Sequence, residues 1–288
     1  MNYFLDLIKR KDILKRIMIE RLTEPLHLNL ISICVALFGS TRLKVLFDLM
    51  LRQQHAYGLL VAADEARKRN LRSITVVELG VGSGTGLMNL CDLAVKITKS
   101  TGIEFKIFGF DTGVGMPPPE DYRDHPELYK EGWFPMDQEK LTAKLPPFCK
   151  LIVGNLKDTL KEFVENLSPD SPLGFATLDV DYYSSSVQAL GLFKGKAISY
   201  LPVITVYVDD MMYPAHNPYC GEQLAIQEFN QNNTLRKITP DPFLPHRRVF
   251  KHAEWLTHIY NVQVLDHPER TFTGSSSEKV VVANPYLA

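Results

Sequence analysis

The chain has 288 residues, of which 45% are apolar, enough for the core of one large α/β domain or two smaller ones. Its 32 basic side chains balance 33 acidic ones, and no run of like charges is long, which argues against nucleic acid as the substrate. The four cysteines are scattered without a Cys-x-x-Cys pair, which favours reduced thiols in a cytoplasmic protein over a disulfide framework or a zinc site.

Residues 1–72 are predicted to form a helical N-terminal extension, and residues 73–288 the main domain. Apolar side chains recur at helical spacing over residues 2–22, Pro25 ends that helix, and residues 41–70 are predicted as one or two further helices. These helices could cover an edge of the sheet, cap a cofactor cleft or pair two subunits of a homodimer.

The stretch from Leu26 to Phe38 is the one segment that could be mistaken for a membrane span. It is about 13 residues long and includes polar side chains such as His27 and Asn29, whereas a spanning helix needs roughly 20 apolar residues. We therefore expect a buried helix and no membrane span, with contact to a membrane surface as the alternative.

From residue 74 onward, β-like and helix-like segments alternate, which indicates a doubly wound, mostly parallel α/β sheet with helices on both faces. The predicted strands are 74–79, 105–110, 150–154, 174–180 and 203–209, and the predicted helices are 85–99, 156–166, 185–200 and 221–232. Two late β runs, 262–266 and 279–283, are predicted to form a hairpin that adds one antiparallel strand.

The most specific motif follows the first strand, where Glu78 precedes glycines at positions 80, 82, 84 and 86. A glycine turn between a strand and a helix lets the backbone approach a ligand closely. The dinucleotide fingerprint G-x-G-x-x-G does not fit, because its sixth position falls on Thr85 or Leu87. A dinucleotide or nucleotide-sugar enzyme is thus the less favoured alternative.

The pattern E-x-G-x-G-x-G resembles the first motif of class I S-adenosylmethionine (SAM) methyltransferases. The resemblance implies a Rossmann-like, seven-stranded sheet that binds SAM through Glu78, Gly80, Gly82 and Gly84.

Two further polar residues follow neighbouring strands. Asp111 ends the second predicted strand, at the sheet edge where Glu78 is expected, so its carboxylate could accept both ribose hydroxyls of an adenosine. Asn155 follows the third strand and could reach the adenine; for Asp111 the alternative is a residue that opens a turn.

Four acids follow the next two strands: Asp179 and Asp181 after one, Asp209 and Asp210 after the other. Close, unpaired carboxylates repel one another, and Mg²⁺ with its preference for oxygen ligands would offset that repulsion. The alternative is that these acids only cap helices and turns.

A narrower resemblance covers roughly residues 55–235. The run Asp179-Val-Asp-Tyr-Tyr-Ser-Ser-Ser with the later Asp209-Asp210, and the segment from Phe110 to Pro117, are similar to motifs of macrocin-type sugar O-methyltransferases. This implies Mg²⁺ bound by Asp179, Asp209 and Asp210, SAM-dependent methylation of a small-molecule hydroxyl, and Asp179 or Asp181 as the base. The chain departs from the pattern at 184–186 and 199–202, where Ser-Ser-Ser and Ser-Tyr-Leu-Pro replace Glu-Ser-Thr and a Gly-Gly turn.

The segment 112–137 is long and rich in proline and aromatic residues, and such loops often form lids or binding surfaces. Its Tyr129, Trp133 and Phe134 could wall a substrate pocket. His216 follows the acids in a second loop and is a candidate general base, with a surface histidine as the alternative. A non-catalytic SAM-binding or scaffolding protein is the remaining alternative function.

Overall fold

The computed structural model describes residues 18–211 and 217–270, in which seven strands form one mixed sheet. The strands are β1 (Ser73–Leu79), β2 (Glu104–Asp111), β3 (Cys149–Val153), β4 (Leu173–Leu178), β5 (Tyr200–Val208), β6 (Arg236–Pro240) and β7 (Ile259–Val264). Their order is β3-β2-β1-β4-β5-β7-β6, with β1 to β5 parallel and β7 antiparallel to both neighbours. The predicted doubly wound, seven-stranded sheet is confirmed.

The helices fall between these strands and ahead of them. They are α1 (Leu26–Phe38), α2 (Thr41–Leu46), α3 (Gln53–Lys68), α4 (Thr85–Thr101), α5 (Gln138–Thr142), α6 (Leu156–Glu165), α7 (Tyr183–Ala189) and α8 (Gly221–Asn232). Residues 18–22 are also helical, whereas residues 1–17 of the predicted first helix lie outside the described part of the chain. The helix predicted at 221–232 is confirmed to the residue.

The core consists of two apolar layers, one on each face of the sheet. Helices α3 and α4 pack on one face through side chains such as Leu59 and Leu90, and helices α6, α7 and α8 cover the other face with Leu160, Ala189 and Ile226 among their buried residues. Strands β1 and β4 are buried on both faces, which explains why they read as continuous apolar runs rather than alternating ones.

The helix predicted at 185–200 is shorter than expected, because α7 ends at Ala189 and only 3₁₀ turns follow. Gly195 donates its amide to the Tyr200 hydroxyl at 2.6 Å, and that hydroxyl donates to the Leu192 carbonyl at 2.8 Å. A Cβ on Gly195 would lie 2.4 Å from the same hydroxyl. This closed turn lets β5 begin at Tyr200, three residues before the predicted start.

The antiparallel strand is present, but its partners differ from those predicted. Strand β7 pairs with β5 on one side and with β6 on the other. Strand β6 was not predicted, since residues 236–240 have no clear β pattern. The run 279–283, predicted as the hairpin partner, lies outside the described residues.

The prediction that Leu26–Phe38 is buried is wrong. Helix α1 forms, but among its residues only Ser32 and Val35 are buried, and most of its apolar side chains face outward. Within residues 18–211 and 217–270, no helix combines the length and hydropathy that crossing a bilayer requires.

Candidate functional site

The glycine turn after β1 adopts a backbone that only small residues tolerate. Gly80, Gly82 and Gly84 all have positive φ angles, of 84°, 51° and 83°. A Cβ on Gly80 would lie 1.7 Å from the backbone oxygen of Asp179, at the end of neighbouring β4. The turn is therefore in direct backbone contact with the acidic strand end.

Glu78 lies buried beneath this turn with an unused polar atom. Its Oε2 has no hydrogen-bond partner among the described residues, and a Cβ on Gly86 would lie 2.0 Å from its Oε1. Burial raises the pKa of Glu78 to about 8, and the nearby positive charge of Arg52 opposes that shift. A cationic ligand group beside Glu78 would supply the missing partner.

Arg52 is a site residue that the sequence motifs did not reveal. It precedes α3 and lines the cleft together with Glu78 and the glycine turn, and its guanidinium has no ion pair or hydrogen bond with any described residue. The guanidinium therefore has its full donor set available to an anionic ligand group. Arg52 and Glu78 together match a ligand that has a carboxylate and an ammonium group.

Asp111 lies at the end of β2, as predicted, and holds the glycine turn in place. Its Oδ2 accepts the amides of Val81 and Gly82 at 2.9 and 2.8 Å, and its Oδ1 accepts the Gly113 amide at 2.7 Å. Carboxylate oxygens have further lone pairs, so these bonds leave acceptor capacity for hydroxyls in the cleft.

Asn155 caps the next helix of the domain. Its Oδ1 accepts the Lys157 amide at 3.0 Å, which satisfies one donor at the start of α6. The residue also lines the cleft, on the side where β3 ends.

Three aspartates converge at the ends of β4 and β5. Asp179, Asp181 and Asp210 each offer a carboxylate oxygen within 4.8 Å of the others. Asp181 has a left-handed backbone, with φ of 58°, which turns the chain sharply after β4. Such a set of hard oxygen donors is suited to Mg²⁺.

The carboxylates of this cluster resist ionisation. Burial raises the pKa of Asp210 to about 11, with added repulsion from Glu222 and Asp181. Burial and the charges of Asp209 and Asp181 likewise raise the pKa of Asp179. Asp179 is open to the cleft, so the charges of the neighbouring acids are the cause of this shift that the geometry supports best.

Asp209, predicted as a metal ligand together with Asp179 and Asp210, lines the same cleft but is hydrogen-bonded to a residue of its own chain. The Tyr207 hydroxyl donates to its Oδ1 at 2.5 Å. The geometry thus brings Asp181 rather than Asp209 into the tightest group, and leaves Asp209 beside that group.

Glu222 is a second residue that sequence reasoning missed. It is fully buried in the first turn of α8, where its Oε1 accepts the Val180 amide at 3.4 Å and its Oε2 accepts the Asp210 amide at 3.1 Å. Glu222 thereby holds the backbone of both acidic strand ends. The sequence feature that could have revealed Glu222 is an acid directly after Gly221, at the start of the predicted helix 221–232.

The predicted loop 112–137 closes one side of the cleft. Tyr129, Trp133 and Phe134 all line it, and the Tyr129 hydroxyl is hydrogen-bonded to Asp181. Buried Asp124 fastens the loop to α7, because its carboxylate accepts the amide and the hydroxyl of Ser184, each at 2.8 Å. His216 lies outside the described residues.

One cleft unites these groups. It has a volume of about 600 Å³, within the range of small-molecule sites, and runs along the carboxyl ends of β1, β2, β4 and β5. The glycine turn, Arg52 and Glu78 lie at its walls together with the three clustered aspartates. The molecule is thus a doubly wound α/β protein with its site at the position such sheets favour.

No protein-family model and no curated protein matches the chain. Among solved structures, it is similar to the O-methyltransferase NovP, with 17% identity and a TM-score of 0.47 over 73% of this chain and 79% of that one. It is also similar to the calicheamicin methyltransferase CalS11, with 18% identity and a TM-score of 0.45 over 72% of this chain and 77% of that one. A third similar structure is MnmC2 from Aquifex aeolicus, with 14% identity and a TM-score of 0.39 over 75% of this chain and 61% of that one. At this level of similarity, a function has to be argued from the site itself.

Proposed function

We propose that this chain is a SAM-dependent methyltransferase that methylates a hydroxyl group of a small molecule, such as a sugar or another natural-product intermediate. The observation that supports this most is that one cleft joins a glycine turn, the unpaired side chains of Arg52 and Glu78, and an acidic cluster. The first two features suit an adenosyl amino acid, and the third suits a chelated acceptor.

The residues around the glycine turn fit SAM. In this proposal Arg52 binds the carboxylate of the methionine moiety, Glu78 binds its ammonium group and Asp111 accepts the ribose hydroxyls. The positive-φ glycines let the ligand lie against the backbone, where a side chain would occupy its place. SAM supplies a methyl group on a sulfonium centre, activated for attack by an oxygen nucleophile.

The acidic cluster fits a divalent cation, since Asp179, Asp181 and Asp210 place carboxylate oxygens within 4.8 Å of one another. Bound Mg²⁺ would lower the pKa of a coordinated hydroxyl. Asp179 or Asp181 then accepts the acceptor's hydroxyl proton, and Glu222 holds both strand ends in position. Tyr129, Trp133 and Phe134 exclude water from the side of the loop.

Calorimetry with SAM, its demethylated product and NAD tests the cofactor assignment. We expect binding of the two sulfur nucleosides, and a preference for NAD would contradict the proposal. Once an acceptor is found by product mass analysis, turnover with and without EDTA tests the metal. Activity that is indifferent to chelation would remove the cation from the mechanism.

A further inference from the structure

An apolar surface on helix α1 has no counterpart within the described residues. At 100° per residue, the exposed positions of α1 fall in one arc of about 160°, and the buried Ser32 and Val35 lie on the opposite side. We call this arc the α1 face; it consists of Leu26, His27, Leu30, Ile31, Ile33, Cys34, Leu37 and Phe38.

The α1 face is large for the surface of a monomer. The exposed fraction of its large apolar side chains runs from 45% for Ile31 to 87% for Phe38, and the helical residues just before it add Met18, Ile19 and Leu22. The large apolar side chains of the α1 face alone expose roughly 700 Å², whereas the largest apolar patch on a typical monomer is about 300–600 Å². One side of a standard protein interface covers about 800 Å².

The segment that leads into α1 is anchored to the domain beneath it. Arg21 donates to the Phe47 carbonyl at 2.7 Å, and its guanidinium lies 3.6 Å from the centre of the Phe250 ring. Glu24 accepts the amides of Lys251 and His252 at 2.5 and 2.9 Å. Because these contacts fix the segment before any partner arrives, binding would cost little conformational entropy.

The chemistry of the α1 face favours an identical face as its partner. Helix α1 contains no Asp, Glu, Lys or Arg, and His27 is its one basic side chain, so the face offers little charge complementarity to an acidic or basic protein. Helices that lie in a membrane surface have a charged side that faces water, whereas the opposite side of α1 packs on its own domain. An uncharged, apolar face of this size is self-complementary when related by a two-fold axis.

We propose that the α1 faces of two copies of this chain pack against each other, so that the protein is a homodimer. This inference is independent of the proposed function. Light scattering after gel filtration over a dilution series should give twice the chain mass of 32.7 kDa. The variants Leu30→Glu and Leu37→Glu should be monomers with unchanged circular dichroism, because both side chains point outward.

The matched control is Leu235→Glu, an equally apolar and half-exposed position beside β6, which should remain a dimer. Cys34 supplies a second readout, since its thiol lies within the α1 face and is exposed in the single chain, so a dimer through this face would cover it. Its alkylation by N-ethylmaleimide, followed by mass spectrometry, should be slow in the wild type and at least tenfold faster in Leu37→Glu.

Three outcomes would overturn the proposal. A monomeric wild type with a protected Cys34 would show that residues 1–17 cover the face. A monomeric wild type that sediments with vesicles of phosphatidylcholine and phosphatidylserine would show a membrane contact instead. A dimer that persists in Leu30→Glu and Leu37→Glu would place the interface elsewhere.

Discussion

Arg52 and Glu78 are a basic and an acidic residue that line one cleft without pairing with each other. No salt bridge joins them in the structure, yet the field of Arg52 opposes the burial that raises the pKa of Glu78. Such an arrangement costs folding free energy unless a ligand satisfies it, and groups of this kind concentrate at functional sites. The pair is therefore more informative about the ligand than the glycine turn alone.

Arg52→Gln should weaken binding of S-adenosylhomocysteine by about 10- to 100-fold, the effect of losing a charge-assisted hydrogen bond of about 1.5–3 kcal/mol. Methylthioadenosine lacks the amino-acid carboxylate, so its affinity should not change. Calorimetry with both ligands makes the comparison within one protein, and Arg52→Lys should retain part of the affinity. Equal losses for both ligands would assign Arg52 to the fold rather than to the carboxylate.

Sequence analysis identified the candidate site residues that belong to a motif. It missed those that are distant from the motifs in sequence and reach the cleft or the acidic strand ends only in the folded chain. Glu78, the glycines and the acids at the strand ends were identifiable because parallel strands deliver their last residues to one edge. Arg52 stands at the start of α3, ahead of β1 in the chain, and Glu222 stands in the first turn of α8. Neither residue belongs to a local sequence pattern. Their roles exist only once α3 and α8 have packed beside the sheet.

At the scale of elements, the turn after β1 and the end of β4 are joined by the contact between Gly80 and the Asp179 carbonyl. The glycine at position 82 has a similar backbone but open space, since nothing lies within 4 Å of its hypothetical Cβ. An alanine at position 80 would therefore add both backbone strain and a steric clash, whereas an alanine at position 82 would add backbone strain alone.

Gly80→Ala should destabilise the protein by about 3 kcal/mol or more, because a left-handed alanine costs about 1–2 kcal/mol and the clash with the Asp179 carbonyl adds to it. Gly82→Ala should cost only the backbone term, about 1–2 kcal/mol. Urea unfolding curves for the two variants give the comparison. Equal losses would mean that the close approach of the two elements is not tight in solution.

Asp124→Ala should loosen the loop 112–137 from α7, because it leaves the Ser184 amide and hydroxyl without their acceptor. We expect a loss of about 1–3 kcal/mol in stability and faster proteolytic cleavage within the loop. Asp121→Ala removes a half-exposed acid of the same loop whose carboxylate accepts only from Arg123 among the described residues, and serves as the control. Equal cleavage rates for the two variants would contradict the role of Asp124 as the anchor.

Element boundaries were predictable where apolar periodicity was clear and unpredictable where tertiary contacts decided them. Helix α8 and strand β1 matched closely. The start of β5 depends on a hydrogen bond from Gly195 to Tyr200, and β6 pairs only with β7 among the described strands. Helix α1 was predicted as buried because its composition is apolar, and composition alone does not say which surface covers a helix.

At the scale of the whole molecule, the acidic cluster makes stability depend on pH. Asp210 has its pKa raised from 3.8 to about 11, so between these values the folded chain binds more protons than the unfolded chain. Stability contributed by this group is therefore present at low pH and is lost as pH rises through that window.

In EDTA, the melting temperature should fall between about pH 5 and about pH 9, and Mg²⁺ should restore it, most strongly at the higher pH, because the cation binds the ionised form. Asp210→Asn should make this dependence less steep, since Asp179 also has a raised pKa, and should weaken the response to Mg²⁺. Differential scanning fluorimetry over the pH series measures both effects. If the melting temperature of the variant depended on pH as steeply as that of the wild type, the ionisation of Asp210 would not be what links stability to pH.

The insertion of β7 between β5 and β6 dictates when the sheet can be completed during synthesis. Strand β6 leaves the ribosome about 20 residues before β7, the only described strand with which it pairs. The described residues that line the cleft belong to the earlier, parallel part of the chain, and N-terminal parts fold first as a nascent chain emerges. Until β7 arrives, the open edge of β5 is exposed to other strands, so a translational pause in this interval would favour aggregation.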